Sequence, residues 1–155
     1  MTETATTDTI ERSVLIQAPR ERVWRALSDA QEFGTWFGAS LEGQTFSPGK
    51  RARGQITIPG YTHVTFDVVI ERVEPQRLIS YRWHPHAIEP GADYTAEEPT
   101  LVTFTLKDGP GGATLLTVSE SGFDKVPPHR RLEAFRGNTA GWEIQLANVA
   151  RHVTA

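Results

Sequence analysis

A chain of 155 residues with 38% hydrophobic content is long enough to bury one core and too short to need a second. The absence of cysteine excludes disulfide staples, thiolate nucleophiles and Cys-containing zinc sites, and fits a reducing compartment. With 16 Lys+Arg against 19 Asp+Glu, the net charge of -3 argues against nucleic acid as a partner.

Residues 1–9 are Thr-rich and polar and read as a disordered tail, without the apolar core of a signal peptide. Residues 10–153 read as a single domain. No apolar run approaches a membrane span, so the expectation is a soluble, cytoplasmic protein without membrane insertion. Val14-Leu15-Ile16 ends a first strand. Ala18-Pro19 then opens a helix in which Val23, Ala26 and Leu27 share one face, and a second short helix, Glu32 to Phe37, carries Phe33, Trp36 and Phe37.

From about Ser40 to Ser121 the residues are those of strands, punctuated by turns at Ser47-Pro48-Gly49, Pro59-Gly60, Glu74-Pro75 and Gly109-Pro110-Gly111-Gly112. The clearest strand is Thr62 to Val73, where Val64, Phe66, Val68 and Ile70 alternate with His63, Thr65, Asp67 and Glu71. The same parity turns inward Ile79, Tyr81 and Trp83, then Val102, Phe104 and Leu106, then Leu116, Val118 and Glu120. Two basic clusters, Lys50-Arg51-Ala52-Arg53 and His129-Arg130-Arg131, read as solvated faces.

After Pro127-Pro128, the residues Leu132, Phe135, Thr139, Trp142, Leu146, Val149 and Val153 recur at steps of three and four, the stripe of a helix that covers the sheet. Gly137 and Gly141 lie inside it; they mark a kink, a weak spot, or a place where another segment or a ligand approaches the backbone. The order strand, two short helices, six strands and one long helix is an α+β helix-grip architecture, a curved antiparallel sheet of about six to seven strands wrapped around the C-terminal helix. A sheet curved about one end of a helix cannot touch it along its whole length, and the gap is a natural small-molecule site.

Several segments, taken in order, resemble a known family: Ala18-Pro19-Arg20-Glu21-Arg22-Val23-Trp24-Arg25-Ala26-Leu27, Trp36-Phe37, Pro48-Gly49 and Arg77-Leu78-Ile79-Ser80-Tyr81-Arg82-Trp83. The series continues with Gly112-Ala113-Thr114-Leu115-Leu116-Thr117-Val118, Ser121-Gly122-Phe123 and Gly141-Trp142 with Leu146. Together they resemble the START-like (SRPBCC) superfamily, in the branch named for the activator of the heat-shock-protein-90 ATPase. The resemblance covers Ile10 to His152. It implies the helix-grip fold of the birch pollen allergen around a ligand cavity, and a chaperone as an alternative partner. It supplies no catalytic motif.

The stretch Ser80 to Tyr94, SYRWHPHAIEPGADY, sets His84 and His86 at i and i+2 behind Trp83. In an extended chain both rings would point the same way, as a two-histidine metal arm does, but Glu89 and Asp93 are not credible further ligands. The expectation is a pocket lip, with no metal and no cofactor. Ser119 and Ser121 lack a G-x-S-x-G elbow, and the glycine cluster at 109–112 is a hairpin turn rather than a phosphate cradle. Glu120 is the one candidate for acid/base work, against a structural reading in which it is salt-bridged or lies at the mouth in water. Trp24 and Trp36 fill the junction of the short helices with the sheet, whereas Trp83 and Trp142 face each other across a cavity. The candidate ligand-binding set is Trp36, Phe37, Phe66, Val68, Tyr81, Trp83, His84, Phe104, Val118, Glu120, Phe135, Trp142 and Leu146.

The leading expectation is binding of a small hydrophobic or aromatic molecule between sheet and C-terminal helix. The rivals are a cyclase, dehydratase or hydrolase using Glu120, Tyr81 or His84 in the same cavity, and a chaperone-associated interaction module.

Overall fold

Alternating apolar residues set the strands. In β3 (Thr65–Glu74) Phe66, Val68 and Ile70 are buried while Thr65 and Val69 face solvent. The computed structural model, which describes residues 8–155, joins β3 to β1 (Thr9–Ile16), β2 (Arg51–Gln55), β4 (Leu78–Trp83), β5 (Thr100–Asp108) and β6 (Thr114–Ser121). They form one antiparallel sheet in the order β1-β6-β5-β4-β3-β2. The buried rows of β5 and β6 follow the parity of the sequence: Thr100, Val102, Phe104 and Leu106 on one, Thr114, Leu116, Val118 and Glu120 on the other. Beyond Ile70 the β3–β4 register shifts, leaving Glu71 as an extra residue; such a bulge bends the strand and deepens the curl of the sheet.

Two short helices cross between the sheet's edges. In α1 (Arg20–Ser28) Val23, Ala26 and Leu27 are buried. In α2 (Ala30–Phe37) the N-cap Asp29 accepts a hydrogen bond from the Glu32 amide, and Gly38, with φ 100°, ends the helix in the left-handed conformation that costs glycine little. Phe33, buried beneath α2, meets Trp36, Phe37, Phe46 and Phe66 with ring centroids 4.7 to 5.6 Å away. Five strands follow α2, one fewer than expected: residues 40–50 form no strand of their own, although Leu41 and Phe46 still dip into the core.

The expected tail of 1–9 falls outside the described residues for 1–7, but residues 8 and 9 belong to the fold. Thr9 pairs with Ser121 at the start of β1, and Asp8 accepts hydrogen bonds from the Gly122, Phe123 and Asp124 amides.

The long helix α3 runs Pro128–Thr154 with Pro128 in its first turn, as the double proline predicts. Its buried face consists of Ala134, Trp142, Gln145, Leu146, Val149 and Val153. The N-terminal end of the expected stripe does not enter the core: Leu132 is 49% exposed, and Phe135 is only partly buried, its ring against Phe123. Leu146→Ala is expected to destabilise the protein by about 2 to 3 kcal/mol in urea denaturation, the cost of a cavity beneath α3. A loss below about half a kcal/mol would contradict its burial.

Candidate functional site

Glu120 is inward-facing on β6 and 0% exposed, and its carboxyl group is ringed by neutral donors. Across the sheet Glu120 pairs with Val102; one inward position along β5 stands Thr100, which pairs with Trp83 of β4. The carboxyl group is thus within diagonal reach of both. Oε2 accepts from the Trp83 indole N–H at 2.8 Å and the Thr100 hydroxyl at 2.6 Å; Oε1 accepts from the Trp142 indole N–H at 2.8 Å. The Asn138 side-chain nitrogen donates to both oxygens, at 2.9 and 3.2 Å. Trp142 and Asn138 are four residues apart on α3 and so share a face, which brings both to the same group. No cation pairs with Glu120 among the described residues, so the expected salt bridge or watery mouth is replaced by a dry hydrogen-bonded hub.

Trp83 and Trp142, anchored to one carboxyl group, stack with ring centroids 5.7 Å apart and planes 26° from parallel. They leave no space between them. The cavity lies beside the pair, a volume of about 450 Å³ bounded by Phe37, Ile56, Val64 and Phe66, by the two tryptophans and by the α3 backbone. Its rim carries Ile58, Tyr61 and Ile144, all exposed, so it opens to solvent there.

The two helix glycines have different roles. A Cβ at Gly137 would stand 2.8 Å from the His86 ring, so its lack of a side chain admits the lip of the cavity to the helix backbone. A Cβ at Gly141 would meet nothing within 4 Å; that glycine is open to the cavity.

The lip, residues 84–99 between β4 and β5, is pinned by Arg130. Its guanidinium grips Glu97 at 2.5 and 3.0 Å, donates to the Pro85 carbonyl at 2.9 Å, and lies 4.6 Å over the Tyr94 ring. Arg130 is therefore an internal clamp rather than part of a solvated basic face. His84 bonds the Glu97 carbonyl through Nε2 at 2.9 Å, and the His63 Nε2 reaches the Ile88 carbonyl at 2.7 Å. His86 takes a left-handed φ of 52°, so the extended geometry of a two-histidine arm does not form. Among the described residues no three His, Asp or Glu side chains converge as metal ligands would.

Burial pushes the His86 pKa below its usual value, as does the Arg130 charge; Glu133, 3.9 Å away and exposed, opposes both. A histidine with a depressed folded-state pKa contributes stability that is complete above its unfolded value near 6.5 and lost as pH falls toward the folded one. Denaturation midpoints are expected to decline between about pH 7 and pH 5 more steeply in the wild type than in His86→Asn. Parallel declines would show that His86 contributes nothing to this dependence.

Of the residues expected to line a pocket, Phe37, Phe66, Trp83, His84 and Trp142 do so. Trp36, Val68, Tyr81, Phe104, Val118 and Leu146 are packed in the core instead, Glu120 sits behind the tryptophans, and Phe135 faces Phe123. Trp36 donates its indole N–H to the Ala26 carbonyl at 2.8 Å, joining α1 to α2. The Tyr81 hydroxyl is buried and has no partner among the described residues; burial, together with the charge of Glu120, pushes its pKa well above the usual phenol value. Neither Glu120 nor Tyr81 lines the cavity. Sequence reading missed Asn138, Ile58, Tyr61 and Ile144; of these, Asn138 was recoverable from its four-residue spacing to Trp142.

Residues 17–154 match the family model described as activator of Hsp90 ATPase homolog 1-like protein. The chain belongs to this family. Its fold is that of the START-like superfamily, as solved structures show. DynU16, from the dynemicin biosynthetic locus, superposes with a TM-score of 0.71 at 26% identity over 96% of this chain, which spans about half of DynU16 (48%). MLL2253 from Mesorhizobium loti gives 0.70 at 25% identity, over 94% of this chain and 96% of that one. The Aha1 dimer from Colwellia psychrerythraea shares the fold alone, with a TM-score of 0.66 at 14% identity over 94% of this chain and 95% of that one. Among curated proteins none matches. No helix of the described residues is long and apolar enough to cross a membrane.

Proposed function

We propose that this protein binds a small, largely apolar molecule in the cavity between α3 and the β2–β4 side of the sheet. The observation that carries this reading is a cavity of about 450 Å³, walled by Phe37, Phe66, Trp83 and Trp142 and opened by the bare backbone of Gly141. That volume is in the range of small-molecule sites, and a mostly apolar wall with a few fixed polar groups is their usual make-up. The rest of the interior is close-packed, as the cluster around Phe33 shows. A catalytic role gains no support from Glu120, whose two oxygens are already occupied by four side chains.

Gly141→Leu tests the reading. The new side chain enters open space and replaces a glycine in a helix, so the fold should be held or stabilised by up to about 1 kcal/mol. Aromatic and aliphatic compounds that shift amide resonances near Phe66, Trp83 and Trp142 in the wild type should bind at least about tenfold more weakly to this variant. A broad library that shifts no resonance in this region would overturn the proposal, and so would a filled variant that binds as tightly as the wild type.

A further inference from the structure

We propose that the cavity selects an uncharged planar aromatic molecule that donates a hydrogen bond to the side-chain oxygen of Asn138, and that Glu120 sets this preference by holding the Asn138 nitrogen. The inference rests on the cavity being a ligand site and specifies the chemistry of what enters it.

A carboxamide has a donor end and an acceptor end. In Asn138 the nitrogen lies 2.9 and 3.2 Å from the two Glu120 oxygens. The reverse orientation would set its oxygen against a carboxyl group whose oxygens already accept from two indoles and a hydroxyl, so the amide has one setting. Its oxygen has no partner among the described residues, and the residue lines the cavity.

Most of the neighbouring side-chain donors are already engaged. Both indole N–H groups are on Glu120, and the Gln145 nitrogen donates to the Phe37 carbonyl at 2.8 Å. The His84 Nε2 hydrogen faces the Glu97 carbonyl, since a carbonyl can only accept. The hydroxyls of Tyr61 and Thr65, on exposed residues at the rim, and the ring of His86 at the lip can donate as well as accept. Among the described residues no lysine or arginine lines the cavity, and the one carboxylate that does, Asp67, is paired with Arg51.

Two ligand classes are disfavoured by this inventory. A carboxylate or phosphate would give up its hydration with no cation to replace it. An aromatic molecule with acceptors alone would cover the Asn138 oxygen and leave it dry, the situation by which a polar site rejects an analogue lacking the matching group. A hydroxyl on a flat ring satisfies both conditions, the ring lying against the tryptophan pair and the hydroxyl meeting the amide oxygen.

Calorimetric titration with naphthalene, 2-naphthol, 2-methoxynaphthalene and 2-naphthoate at neutral pH tests this. In the wild type 2-naphthol should bind roughly tenfold more tightly than 2-methoxynaphthalene or 2-naphthoate. Asn138→Ala should remove the advantage of 2-naphthol over 2-methoxynaphthalene, read as the ratio of their two dissociation constants. Glu120→Gln should shrink the same ratio, because a carboxamide at 120 can donate to the Asn138 oxygen; a general loss of structure would weaken both ligands together and leave the ratio alone. Equal affinities for the four compounds, or tightest binding of the naphthoate, would overturn this inference while leaving the cavity reading intact. If none of the four binds, this inference falls, and the cavity reading is decided by the broader library. The wild-type series does not depend on any variant folding.

Discussion

Glu120→Ala should lower the stability of the fold by about 4 kcal/mol or more, the largest effect expected of any single polar substitution here. The truncation removes the acceptor for Trp83, Trp142, Thr100 and Asn138 at once. Each buried donor left unpaired costs about 1 to 3 kcal/mol, and entry of water into the gap recovers only part of that sum. Glu120→Gln keeps the volume and one accepting oxygen but points an amide at groups that also donate, so an intermediate loss of about 2 kcal/mol is expected. Urea denaturation followed by far-ultraviolet circular dichroism measures both values. The near-ultraviolet signal of the stacked indoles should weaken in parallel. A loss under about 1 kcal/mol for the alanine variant would mean that the donors find other partners, and that the hub is not what holds them.

Arg130→Ala should cost about 3 kcal/mol and release the lip of the cavity. The Arg130 and Glu97 side chains are only 11% and 17% exposed, so the pair is nearly shielded from water, and removing one member strands the other. The same substitution deletes the bond to the Pro85 carbonyl and the guanidinium face over Tyr94. Hydrogen exchange should show the consequence locally: amides of residues 84–97 should exchange at least about a hundredfold faster, while the β5–β6 ladder stays protected. Lysine at this position keeps the charge but cannot form the forked contact or lie flat on the ring, so Arg130→Lys should recover less than half of the loss. Full recovery by lysine would reduce the clamp to simple charge attraction.

The architecture was legible because it depends on periodicity, which a sequence displays directly. The alternation through Phe66, Val68 and Ile70 and the steps from Trp142 to Leu146 to Val149 are statements about which face is apolar, and the fold obeys them. What failed was the inference from inward-facing to pocket-lining. Val68, Tyr81, Phe104 and Val118 face inward and are packed solid, while the space opens nearer the β2–β3 edge, where Ile56, Ile58 and Tyr61 come from a connection without regular pattern. Parity distinguishes the two sides of a sheet; it does not say how far a helix stands off it.

The reading of His129-Arg130-Arg131 as a solvated face failed for a related reason. The partner of Arg130 is Glu97, 33 residues earlier, and no local spacing joins them. Glu120 is an intermediate case: its inward direction was legible, but its partners come from β4, β5 and α3, and only the assembled fold brings four neutral donors to one carboxyl group.

That convergence bears on how α3 is seated. Apolar contacts are tolerant: Leu146 or Val149 would bury nearly as well with the helix displaced along its axis by a turn, so a greasy face by itself selects poorly among neighbouring alignments. Directional bonds are not tolerant. Each one-residue slip turns an α-helix by about 100° and advances it about 1.5 Å, which would carry the Trp142 indole and the Asn138 amide off Glu120 together. A single carboxyl group on the sheet therefore acts as an index pin for the helix, fixing its rotation and axial position at one setting among several that burial alone would leave close in energy. Misalignment becomes all-or-none, so this protein should populate one helix registry even where its packing is loosest, beside the open cavity.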